Sequence, residues 1–202
     1  MSKSILLCGV GGQGTVLASR LIAASAIARG EEARTAETIG MAQRGGSVVS
    51  HVRIGEQVYS SLIPQGKADM IIGFEPAEAV RSLSYLKQDG LVIVNKKAVK
   101  PVTATLGGMN YTGEEMLAYL QEQVSNLVVV DGEAICEEVG SHKVLNIVLL
   151  AFAAASGKLG IDVTQLKEAV KAGVKPKFYA LNEKAIDTAV AVYEAQSESV
   201  RM

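Results

Sequence analysis

Gly9, Gly11 and Gly14 stand in "ILLCGVGGQGTVLAS" from Ile5, after an apolar run and before a run of small residues. GxGxxG spacing in a strand-to-helix setting suits a loop whose backbone N–H groups come close to a phosphate at a helix N-terminus. Gly12 and Gln13 complete the loop. The Gln13 amide has no packing reason to sit at a helix start. It could donate to a phosphate or carboxylate, or cap a neighbouring backbone group. Three occupants stay open: an anion or cofactor phosphate, a dinucleotide, or nothing beyond a tight turn. A dinucleotide needs an acid ending the second strand, and Glu37 is the nearest candidate. Glu37 leads into the polar, glycine-rich "TIGMAQRGGS" rather than into another helix, which argues against ordinary NAD binding.

A second constellation lies in "ETIGMAQRGGSVVSHVRIG" from Glu37, where Gln43, Arg44, Ser47, Ser50, His51 and Arg53 crowd together. Arg44 followed by Gly45 and Gly46 could present a bidentate fork beside exposed backbone, suited to a phosphate, a carboxylate or a partner's acid. His51, on an alternating strand, reads as a structural histidine. With His142 the only other histidine, no histidine trio for a metal is available. The two cysteines, Cys8 and Cys136, form no CxxC and read as buried free thiols, so neither a zinc site nor an iron–sulfur cluster is expected. GxSxG is absent, and no nucleophile with its base is evident. Asp131-Gly132-Glu133 resembles part of the GDG start of a magnesium and thiamine diphosphate site. Val130 replaces the first glycine and no asparagine pair follows, so it reads as a turn ending a strand. No catalytic or metal-ligating residue is expected in this chain.

The elements that must position these loops follow from hydrophobic periodicity. "SILLCGV" from Ser4, "DMIIGF" from Asp69, "GLVIVN" from Gly90 and "LVVVDG" from Leu127 are continuously apolar, as strands covered on both faces are. Thr15 to Arg29 reads as a small-residue helix capped by Gly30, and Glu75 to Gly90 as a helix with Pro76 at its first position. "GSVVSHVRIGEQVYSSLI" from Gly46 alternates and predicts an inserted β-hairpin turning at Gly55-Glu56. "KKAVKPVTATLGGMN" from Lys96 predicts a loop or short extra strand. A helix over 113–125 follows, with Met116, Leu117 and Leu120 inward. The final third reads as three helices: 141–156, one from Asp162 with Asp162 or Thr164 as cap, and 177–195. The expectation is a Rossmann-like three-layer α/β domain over 1–202, with a mostly parallel sheet, an inserted hairpin and a helical C-terminal third.

Composition bounds the rest. The 202 residues are 49% hydrophobic and 20% charged with net charge −1, which suits one α/β domain. No basic stripe forms, so nucleic acid and anionic membranes are not expected partners. The run "VLNIVLLAFAAASG" from Val144 is too short to cross a bilayer. No signal peptide is evident at the N-terminus, and a cytoplasmic location is expected.

Taken together, "GVGGQGTVLASRLIAASA" from Gly9 and "ETIGMAQRGGSVVSHVRIG" from Glu37 resemble the gamma-type component of the 2-oxoacid:ferredoxin oxidoreductases, specifically the indolepyruvate branch. The likeness covers nearly the whole chain. It implies a subunit of an enzyme that decarboxylates a 2-oxo acid on thiamine diphosphate, reduces ferredoxin and releases an acyl-CoA. Thiamine diphosphate, magnesium and iron–sulfur clusters are then expected on a larger partner, and this chain is not expected to be active alone. The resemblance places the family's glycine loop on Gly9, Gly11, Gly12, Gln13 and Gly14, and its second segment on Ala42, Gln43, Arg44, Gly45 and Gly46. These loops are expected to meet at the carboxyl edge of the sheet. There they would contact the nucleotide part of CoA, line the thiamine cleft, or dock the larger subunit. From another class, a stand-alone regulatory nucleotide-binding module is the alternative.

Overall fold

The computed structural model describes residues 2–40, 45–100 and 111–199. Six strands, β1 (Lys3–Val10), β2 (Glu32–Ile39), β3 (Ser47–Gly55), β4 (Ala68–Gly73), β5 (Leu86–Asn95) and β6 (Leu127–Val130), form one sheet in the order β2-β3-β1-β4-β5-β6. The pairs β1–β4, β4–β5 and β5–β6 are parallel, while β3 is antiparallel to both β1 and β2. Among the described strands only β3 runs against the rest. The continuously apolar runs are the parallel strands, because helices cover both of their faces.

Seven α-helices are described: α1 (Thr15–Ala28), α2 (Pro76–Ser82), α3 (Glu114–Gln123), α4 (Gly132–Val139), α5 (Leu145–Ala155), α6 (Val163–Gly173) and α7 (Tyr179–Ser199). On one face of the sheet Ile5, Leu7, Met70, Ile72 and Ile93 meet Ala18, Leu21 and Ile22 of α1 and the apolar residues of α5. On the other, Leu6, Cys8, Ile71, Val92 and Val94 pack with Ala79 of α2 and Leu120 of α3. Two buried clusters separated by the sheet make the three layers.

Local chemistry sets the helix ends. Pro76 opens α2, and Asp162 with Gln165 forms a reciprocal capping box at α6, so the cap is Asp162 rather than Thr164. Gly30, at φ +81°, ends α1 in a conformation that a Cβ would strain.

Three expectations change. The hairpin is not closed at Gly55-Glu56: β3 pairs with β2 before it, and 57–63 forms no strand. Instead that segment is held by side chains, with Arg34 Nε donating to the Val58 carbonyl, Val58 N–H to Glu32 (2.9 Å) and Ile63 N–H to His51 Nδ1 (3.2 Å). The helix from Pro76 ends at Ser82, and after a single 3₁₀ turn the chain is already in β5 at Leu86, which pairs with Ala68. Residues after Asp131 form α4 rather than a bare turn, with Asp131 accepting from Ala134 N–H at 3.2 Å. The possible strand after Lys96 lies partly outside the described residues.

Candidate functional site at the carboxyl edge of the sheet

β1 and β4 are neighbours, yet the chain leaves them toward opposite faces: β1 feeds α1 and β4 feeds α2. Where neighbouring parallel strands diverge in this way a crevice opens outside their carboxyl ends, the usual ligand position in open α/β sheets. The glycine loop, the turn at Gly45-Gly46 and the start of α2 all reach this crevice.

The two glycine segments meet there. Gly11 N–H donates to the Gly46 carbonyl at 2.9 Å. Gly12 (φ +99°) and Gly14 (φ +85°) take left-handed conformations, and Gly11 and Gly12 are exposed. Gly9 is required for close approach, because an added Cβ would lie 2.7 Å from Phe74 Cβ and 2.6 Å from Gln13 Oε1. Gln43 and Arg44 lie outside the described residues, while Gly45 sits at φ +71°.

Gln13 bonds to the protein's own backbone. Its Oε1 accepts from Val10 N–H at 2.8 Å and its Nε2 donates to the Phe74 carbonyl at 3.1 Å. That carbonyl also accepts from Asn95 Nδ2 (3.3 Å), whose Oδ1 in turn accepts from Gly132 N–H (3.2 Å). A chain of hydrogen bonds thus crosses the carboxyl edge, through the turns after β1, β4, β5 and β6. The sequence reading missed Asn95, although a polar residue closing the apolar run "GLVIVN" was a signal that its amide is bonded.

Two carboxylates flank the crevice. Glu75, 2% exposed, caps α2 through Glu78 N–H (3.1 Å) and accepts from the Tyr111 hydroxyl (2.5 Å) and Val99 N–H (3.4 Å). Glu78, 4% exposed, accepts from the Ser47 hydroxyl at 2.6 Å and pairs with Arg81. Burial, then the bond to Glu75, pushes the Tyr111 phenol well above its ordinary value, so it stays a donor. These groups, with Val10, Gly45 and Lys100, line a cavity of about 110 Å³.

The remaining sequence candidates lie apart from this edge or are structural. His51 is buried, holds the 57–63 segment and has its basicity lowered by burial. Glu37 accepts from Ser19 of α1 at 3.3 Å. Cys8 and Cys136 are buried free thiols in different clusters, pushed up to about 12 and about 11 mainly by that burial. No described helix is long and apolar enough to cross a membrane.

Fold and crevice together define a Rossmann-like α/β protein with a glycine loop at the sheet's crossover point. Residues 4–192 match the pyruvate ferredoxin/flavodoxin oxidoreductase family. Indolepyruvate oxidoreductase subunit IorB of Thermococcus kodakarensis is 36% identical over 189 residues, covering 93% of this chain and 94% of that protein. Among solved structures, the gamma subunit of a keto/oxoacid ferredoxin oxidoreductase from Geobacter sulfurreducens superposes with a TM-score of 0.71 at 22% identity, covering 96% of this chain and 98% of that one. A 2-oxoglutarate:ferredoxin oxidoreductase from Magnetococcus marinus, solved with coenzyme A bound, gives 0.69 at 20% identity, covering 96% of this chain and 31% of that one. The chain belongs to the pyruvate ferredoxin/flavodoxin oxidoreductase family. Within it, the chain is a small subunit of a 2-oxoacid:ferredoxin oxidoreductase.

Proposed function

We propose that this chain is the non-thiamine, gamma-type subunit of an indolepyruvate-specific enzyme, folded as one domain. It completes the active site of a larger subunit by offering the N-terminus of α1 to the phosphates of CoA. The indolepyruvate assignment rests on the relatives' names. The chain's own residues fit a division of labour. Its two cysteines lie in different clusters and do not supply a ligand set for an iron–sulfur cluster, so the clusters belong to the partner in this reading, and the family resemblance assigns thiamine diphosphate there with them. Thiamine there supplies the electron sink for decarboxylation.

One observation carries the CoA reading. Four parallel strands lead toward helices at the carboxyl edge, and three of those helix starts already hold acids: Glu75 caps α2, Glu114 and Glu115 open α3, and Asp131 caps α4. The start of α1 has neither a side-chain cap nor an acid in its first turn. Its unsatisfied N–H groups and positive dipole end favour an anion from outside the chain. Because Gln13 is committed to Val10 and Phe74, its role in this reading is to hold the loop. The contacts to phosphate come from backbone around Gly12 and Gly14.

Leu17, 39% exposed in the first turn of α1, gives the test. Leu17→Asp suits the helix itself, by about 0.3–1 kcal/mol, yet places a negative charge where the phosphate would sit. In the assembled complex we expect KM for CoA to rise about tenfold, the equivalent of roughly 1.4 kcal/mol, with kcat and assembly unchanged. An unchanged KM sinks the CoA contact. Loss of assembly shows that this end of α1 docks the larger subunit.

A further inference from the structure

Away from the glycine loop, Glu133 and Glu137 stand one turn apart on α4, and the chain then folds back through the 3₁₀ turn His142–Val144. This brings one ligand atom each from Glu133, Glu137 and His142 within 4.8 Å of one another. We propose that Glu133, Glu137 and His142 form a site for a divalent transition-metal cation of the zinc class. One imidazole nitrogen and two carboxylates form a mixed N/O set that such cations accept, with further coordination positions left to water or another ligand. The absence of a histidine trio is no obstacle, because two carboxylates take the places of the other two histidines.

A second observation points into the same space. Asn95, Gly132, Glu133, Cys136, His142 and Leu145 line a cavity of about 230 Å³ whose rim includes Lys97. Cys136, 1% exposed, borders the same cavity. Of the three ligands, Glu133 and His142 line this cavity, and Glu137 completes the set from the exposed side of α4. Lys97 pairs with Glu133, whereas Glu137 has no cationic partner among the described residues. The lysine therefore neutralises only part of the local negative charge.

A cation here would join α4 to the turn that starts α5. Asn146 of α5 lies against Gly14, its Nδ2 3.0 Å from where a Cβ would be. The site would therefore brace the helix on which the end of the glycine loop rests. Glu137 and His142 are exposed, so their replacement leaves the core intact.

The full chain, stripped with a chelator, is titrated with Zn²⁺ by calorimetry, and its melting temperature is followed. One equivalent should bind and raise the melting temperature. His142→Ala and Glu137→Gln should each weaken binding about tenfold or more, while His51→Gln leaves it unchanged. Binding by His142→Ala equal to that of the wild type, or no Zn²⁺-dependent rise in the wild type, overturns the assignment. Neither readout involves CoA or the larger subunit.

Discussion

Gln13 satisfies two backbone groups, Val10 N–H and the Phe74 carbonyl, with one amide. Gln13→Ala leaves Val10 N–H without its acceptor, while the Phe74 carbonyl keeps Asn95; one unpaired backbone group costs about 1–3 kcal/mol, so unfolding stability in urea should fall by about that much. Gln13→Glu is the sharper substitution. It can still accept from Val10 but sets a carboxylate oxygen against the Phe74 carbonyl, and we expect it to be no more stable than Gln13→Ala. Stability equal to wild type in both would mean that the amide does not hold the loop. The sequence made the residue visible as a polar side chain at a helix start but left its partner open. Phe74 contributes a backbone oxygen, and carbonyls leave no mark in a residue string.

Among the elements, the outer pair β2 and β3 is where sequence and structure diverge most. "EARTAETI" lacks the apolar run of a covered strand because β2 is an edge strand with exposed residues, so its pairing was not legible. The alternation of β3 was legible, but its partner precedes it instead of following Gly55. The 57–63 segment reads as the second half of a hairpin because Val58 and Ser60 follow the Gly55-Glu56 turn signal, and in the structure Val58 and Ile63 are buried. It achieves that burial as irregular chain pinned partly by His51. The same histidine makes stability depend on pH. Burial lowers its affinity for protons below the ordinary value of 6.5, so the unfolded chain binds the proton first. This contribution to stability is full above pH 6.5 and is lost as pH falls from there toward the folded-state value. His51→Gln should remove part of the decline between pH 7 and 5 in denaturant titrations. An unaltered slope would reject the role of His51.

Across the whole molecule, the four apolar strands and the C-terminal helices were legible because burial on both faces of a sheet writes itself as uninterrupted apolar sequence. Their meeting at one crevice was only half legible. The paired glycine segments announced it, and the contact from Gly11 to Gly46 realises it. Asn95 did not announce itself, since its importance lies in what it joins. Asn95→Ala removes the donor to Phe74 and the acceptor for Gly132 N–H together. In hydrogen–deuterium exchange, we expect faster exchange at Gly12–Gly14 and at Gly132–Ala134 in the same variant. Acceleration at only one of the two places would mean that they open independently.

The line from Gln13 through Phe74 and Asn95 to Gly132 also has a thermodynamic consequence. If the turns it joins open together, tightening at one end lowers the entropic cost of ordering the other. Such linkage is reciprocal: whatever settles on the glycine loop would also quiet the distant start of α4, and anything that quiets α4 would prepare the loop.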